Sequence, residues 1–133
     1  MLLTKKSEYA LLSLISIAKS DAPKNVDVLS RELNIPKSFL AKIMQNLAKN
    51  DIVISHRGVN GGFVLKKPYD EITVLEITTV AEEKVPSVFE CSPSVSACPS
   101  DLANACNVWP LLNNLQSKIN IFLSGLTLKD ISS

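Results

Sequence analysis

Around residue 50 the hydrophobic period of this chain changes. Up to Lys49, apolar residues recur at steps of three and four. From there Ile52-Val53-Ile54-Ser55 is short and β-branched, the segment His56 to Gly62 carries three glycines, and Phe63-Val64-Leu65 returns. Side chains spaced for a helix would fall on both faces of a strand, so one local structure cannot serve both halves of this stretch. The reading is a set of helices followed by a β-hairpin with a glycine-rich tip.

Upstream, residues 4–19 read as an amphipathic helix with Leu11, Leu14, Ile15 and Ala18 on one face and Thr4 as its N-cap. A turn over 20–25 precedes a short helix from Val28 to Leu33, with Asp27 as the expected cap. Asn34-Ile35-Pro36 breaks that helix and starts the next, because proline suits a first turn but not a helix interior. The third helix, 37–49, has Phe39, Leu40, Ile43, Met44 and Leu47 on one stripe and Ser38, Lys42, Gln45 and Lys49 on the other. Three helices with a tight second turn, then a hairpin, predict a winged helix-turn-helix over residues 1–69.

The charge distribution points the same way. Residues 1–69 hold eleven Lys/Arg against five acids, whereas residues 70–133 hold three against eight. A basic half beside an acidic half suggests that the first meets a polyanion. A recognition helix needs a polar, cationic face for the major groove and an apolar face for its scaffold, and helix 37–49 has both. Lys37 and Ser38 stand in its first turn, nearest to base edges, with Lys42 and Gln45 further along. Lys5, Lys6, Lys37, Lys42 and Lys49 are candidate phosphate contacts. Arg57 at the hairpin tip is placed to enter a narrow minor groove, assisted by Asn60, and Gly58, Gly61 and Gly62 would let the backbone adopt positive φ and approach a partner closely. His56 reads as a turn residue or a phosphate contact.

In the second half, 70–133, Thr73 caps a helix over roughly 74–82. Residues 84–106 form a Pro/Ser-rich loop bearing Cys91, Cys98 and Cys106, and a last long helix carries Val108, Leu112, Leu115, Ile119, Phe122 and Leu126 at alternating steps of four and three. That narrow seam, 108–126, fits a helix packed on a second subunit, or on the chain's own domain. The C-x6-C-x7-C spacing allows thiolates to converge on a metal centre, and equally allows three small apolar residues. Nothing approaches the run of about 20 apolar residues that spans a bilayer, and an odd cysteine count fits a reducing, cytoplasmic setting. With one histidine and no phosphate loop or triad, the chain does not read as an enzyme.

Specific motifs then narrow the choice. The run Ser55-His56-Arg57-Gly58-Val59-Asn60-Gly61-Gly62-Phe63-Val64-Leu65 resembles the wing of the bacterial winged-helix regulators that include the iron–sulfur regulator IscR and the nitric-oxide sensor NsrR. The opening Met1-Leu2-Leu3-Thr4-Lys5-Lys6-Ser7-Glu8-Tyr9-Ala10-Leu11 is similar to that family's start, and Ile35-Pro36-Lys37-Ser38-Phe39-Leu40 to its recognition-helix entry. The stretches 71–77 and 126–131 fit its later landmarks. The resemblance covers nearly the whole chain. It implies a homodimeric, DNA-operator-binding transcription regulator, usually a repressor, with a long C-terminal dimerisation helix. It also implies an iron–sulfur cluster, [2Fe–2S] or [4Fe–4S], on Cys91, Cys98 and Cys106. One departure stands out. The position where IscR-like members place a histidine ligand is Trp109, while Glu8 occupies the place from which some NsrR-like members donate an acidic ligand across the dimer. The alternative is a clusterless regulator of the same fold that acts by thiol redox switching or by docking a partner protein.

Overall fold

The computed structural model describes residues 3–87 and 109–132. Along the chain run α1 (Lys5–Ala18), α2 (Val26–Leu33), α3 (Lys37–Lys49), β1 (Val53–His56), β2 (Gly62–Leu65), α4 (Val74–Glu82), α5 (Trp109–Gly125) and α6 (Leu128–Ser132). The architecture is mostly helical with a two-stranded antiparallel hairpin, as the change of period predicts.

Helix α1 begins where expected, with the Thr4 hydroxyl accepting from the Lys6 amide. Its buried face is rotated from the predicted one: Ser7, Ala10, Ser13, Leu14 and Ile17 are buried, while Leu11, Ile15 and Ala18 are only partly so. Two serines can sit inside because their hydroxyls are satisfied there. Ser13 Oγ donates to the Tyr9 carbonyl at 2.7 Å and Ser7 Oγ to Glu82 Oε2 at 2.6 Å. A reading that counts serine as polar places the stripe too far round the helix.

Helix α2 starts two residues before the predicted Val28. Asn25, not Asp27, caps it, its Oδ1 accepting from the Val28 amide at 2.9 Å. Asn34 ends α2 in the left-handed region at φ 56°, a conformation asparagine tolerates well. The turn is closed by the Ile35 amide on the Ser30 carbonyl and by the Ser30 hydroxyl on the Ile35 carbonyl. Helix α4 has the predicted bounds and a full capping box between Thr73 and Glu76.

The core joins residues from both 1–69 and 70–133: Leu14, Leu29, Leu40, Met44, Leu47, Ile52, Ile72, Ile77 and Leu128 are all fully buried. The short α6 has no counterpart in the sequence reading. It follows an antiparallel bridge of Thr127 with Thr73, where the Val74 amide bonds the Leu126 carbonyl and the Leu128 amide bonds the Ile72 carbonyl. Helix α5 buries Gln116 and Leu123, with Gln116 Nε2 donating to the Pro86 carbonyl at 2.7 Å. The predicted seam on this helix splits. Leu112, Ile119 and Leu126 are half-buried, Leu115 and Phe122 are exposed, and Val108 lies outside the described residues. Leu111 and Ile121 extend the exposed apolar face. Among the described residues no helix is long and apolar enough to cross a membrane.

The start of α1 is clamped to the end of α4 by Glu82. Its carboxylate accepts from the Thr4 amide at 2.8 Å and from the hydroxyls of Thr4 and Ser7. Burial pushes the Glu82 carboxyl up, but the bonds from Ser7 and Thr4 outweigh it and hold the group below the ordinary carboxylate value. A lowered folded value means the clamp stabilises above the unfolded value of 4.5, and that stability is lost as pH falls through the folded value. Glu82→Gln is expected to cost about 2 kcal/mol at neutral pH. It should also flatten the loss of stability below pH 4.5, measured by urea unfolding across the acid range. An unchanged acid limb would show that Glu82 is not the group responsible.

Candidate nucleic-acid interface

The recognition-type helix α3 is seated by Leu40, Ile43, Met44 and Leu47, each at most 4% exposed. The helical repeat then turns Lys37, Ser38, Lys42, Gln45 and Lys49 outward, and all five are exposed. Phe39, assigned from sequence to the inner stripe, is 39% exposed. It packs edge-on against Tyr9 of α1, with ring centroids 5.5 Å apart at 88°.

That aromatic contact brings the first turns of α1 and α3 together. Lys5 pairs with Glu8 at 3.0 Å, and its ammonium lies 5.8 Å from the centre of the Tyr9 ring. The hydrogen bond that Lys5 donates to Glu8, then the charge of Glu8, raises the Lys5 pKa. Lys6 and Lys42 flank a small cleft floored by Phe39, Ile43 and Ala81. The basic residues at the start of α1 therefore adjoin the cationic flank of α3.

A second link ties α3 to the wing. Lys37, the first residue of α3, forms an ion pair with Asp27 in the first turn of α2. The Lys37 ammonium holds the Asp27 carboxyl below its usual value. One turn back, the backbone of Lys24 bridges to β2: the Phe63 amide donates to the Lys24 carbonyl at 2.8 Å and the Lys24 amide to the Phe63 carbonyl at 3.3 Å. The entry to α2 is thus the shared anchor of α3 and the wing.

The tip itself, Arg57 to Asn60, is exposed throughout, and Val59 projects fully into solvent between Arg57 and Asn60. Among the described residues Lys6, Lys42, Lys49 and Arg57 form no ion pair, leaving their charges available to a polyanion. The expected positive φ is taken by two of the three glycines, Gly58 at 112° on the open tip and Gly62 at 152°. A Cβ at Gly61 would meet the His56 carbonyl oxygen at 2.4 Å, and one at Gly62 would meet the Lys24 carbonyl carbon at 2.5 Å. These two glycines admit the chain's own backbone. Sequence reasoning also missed Lys24 and Asp27 as organisers of the surface, because their partners are set by the helix-turn-helix packing.

Of the candidate metal ligands, Glu8 is exposed in the first turn of α1, beside Lys5. Cys91, Cys98 and Cys106 lie outside the described residues. Among the described residues no three His, Cys, Asp or Glu side chains gather as a metal site.

Comparison with known proteins places this geometry. A family described as Rrf2: Iron-dependent Transcriptional regulator matches residues 3–133. An HTH-type transcriptional regulator of Aquifex aeolicus is 32% identical over 98% of this chain and 91% of its own length. The HTH-type transcriptional regulator IscR of Yersinia pseudotuberculosis is 30% identical over 98% of this chain and 79% of its own. Among solved structures, the cysteine regulator CymR of B. subtilis superposes with a TM-score of 0.75 at 24% identity, covering 99% of this chain and 96% of that one. IscR of T. potens gives 0.71 at 20%, covering 98% and 85%. The curated relatives carry the names of transcription regulators, not of enzymes, and the resemblance read in the sequence is borne out: this chain belongs to the Rrf2 family of winged-helix transcription regulators.

Proposed function

We propose that two copies of this chain bind an operator as a repressor whose affinity is set by an iron–sulfur cluster. The observation that carries the DNA half is the outward face of α3 held beside the wing through the entry to α2. Lys37, Ser38, Lys42 and Gln45 face the major groove, Arg57 and Asn60 the flanking minor groove, and Lys5 the phosphates. The apolar face of Leu111, Leu115, Ile121 and Phe122 on α5 favours the dimer, since an exposed patch of this kind marks a partner surface.

The cluster half rests on the donor set. Cys91, Cys98 and Cys106 supply three thiols between α4 and α5, the donors that iron–sulfur irons prefer, and the IscR relative aligns over almost the whole chain. With Trp109 in place of a histidine, the exposed carboxylate of Glu8, offered from the other copy, is the proposed fourth ligand. When bound, the cluster supplies a centre responsive to redox and to nitric oxide. Reduced thiols of this kind fit a cytoplasmic protein.

The test is a visible spectrum with iron and sulfide assays on anaerobically purified protein, wild type beside Cys98→Ala. Brown protein with iron and sulfide, both lost in the variant, is the expected result. Colourless, iron-free protein after attempted reconstitution would overturn the cluster reading and assign the cysteines to thiol chemistry.

A further inference from the structure

We propose that Asp27 is a specificity-determining residue of the DNA interface, acting as an internal counterion that restrains Lys37 from binding phosphate. The proposal rests on the reading of α3 as the recognition helix. Asp27 has no capping duty, because Asn25 caps α2. Its carboxylate is instead committed to Lys37, at the start of α3, with both side chains exposed. Among the described residues, the other cations on α3, Lys42 and Lys49, carry no such partner. Lys37 is the one recognition-helix cation that the fold neutralises.

The pairing discriminates between two kinds of DNA contact. A lysine ammonium carries three protons. With one directed to Asp27, the others still reach the acceptor pair on a guanine edge, so the pair can persist in a base-specific complex. A phosphate in the same place meets the Asp27 carboxylate at short range, and its like charge must be tolerated or the pair broken. Non-specific binding is almost wholly phosphate neutralisation. Asp27 therefore penalises the non-specific complex more than the specific one, which widens the ratio between them.

The experiment compares wild type, Asp27→Asn, Lys37→Ala and the double variant by fluorescence anisotropy. The probes are a duplex recovered from a random library by selection on the wild-type protein, and a shuffled duplex of the same composition. Asp27→Asn is expected to tighten binding to the shuffled duplex about 5-fold and to the selected duplex less than 2-fold. The slope of log K against log salt on the shuffled duplex should steepen by about one per protomer. Both effects should vanish in the Lys37→Ala background. Equal tightening on the two duplexes, or persistence of the effect without Lys37, would reduce Asp27 to general charge repulsion and overturn the proposal. Weakened binding by Lys37→Ala with no response to Asp27→Asn would overturn it alone. No response to Lys37→Ala would overturn the reading of α3 itself.

Discussion

Gly62→Ala should melt about 10 °C below the wild type and lose most of its operator affinity, although no charged residue is touched. Gly62 opens β2 at φ 152°, in the region L side chains rarely adopt. Its added Cβ would lie 2.5 Å from the Lys24 carbonyl carbon and 2.8 Å from the backbone nitrogens of Lys24 and Asn25. All three atoms are main chain, so no side chain can swing aside. Relief requires the wing to move off the α2 entry, which breaks the paired bonds between Lys24 and Phe63. Steric displacement plus two lost hydrogen bonds is worth about 3 kcal/mol. For a chain of this size that corresponds to a shift of about 10 °C. The loss of binding follows because the wing and the start of α3 share that anchor. Gly58→Ala is the control: its Cβ meets nothing within 4 Å, so only the strained φ of 112° is felt, about 1 kcal/mol. Thermal melts with gel-shift assays decide the matter. Equal behaviour of the two variants would mean that the close approach at Gly62 does not hold the wing.

Leu40→Ala is expected to cost about 3 kcal/mol, the second large effect. Leu40 is fully buried under the first turn of α3, among the residues that seat the helix. Truncation removes apolar contact and leaves a cavity that the surrounding helices can only partly close. Since Leu40 sits three residues after Lys37 and two after Ser38, the defect lies beneath the residues assigned to base edges. Operator affinity should therefore fall even at temperatures where the variant is fully folded, with the selected duplex affected more than a shuffled one. Gln45→Ala, on the exposed face, should leave stability within about 0.5 kcal/mol. Urea unfolding separates the two. A Leu40→Ala variant as stable as wild type would contradict the seat described for α3.

One effect lies in β2 and the other in α3, and they differ in how far the sequence foretold them. The bounds of α3 and α4, the Thr4 and Thr73 caps, the break at Asn34 and the hairpin were legible because each depends on residues within a few positions of one another. The inner stripe of α3 was legible except at Phe39, whose partial exposure is set by Tyr9 on another helix. The face of α1 was misjudged because Ser7 and Ser13 are buried, Ser13 against its own helix and Ser7 against Glu82, 75 residues away. The α2 cap was misassigned because Asn25 and Asp27 are both competent. Packing gave the cap to Asn25 and turned Asp27 toward Lys37. Helix α6, Leu128–Ser132, is too short to show a period and is held by the bridge between Thr127 and Thr73.

The amino-acid order by itself determined that this chain would be helices followed by a glycine-tipped hairpin, that its first half would carry the positive charge, and that three thiols would lie between the last two long helical segments. These are consequences of spacing and composition, which act over a few residues. Only the tertiary structure decided that Gly62 packs against the backbone of Lys24, that Glu82 clamps the start of α1, and that Lys37 is paired with Asp27. The reason is physical: a hydrogen bond or a steric limit between distant residues exists only once the core has brought their backbones within a few ångströms, and no local pattern records that distance.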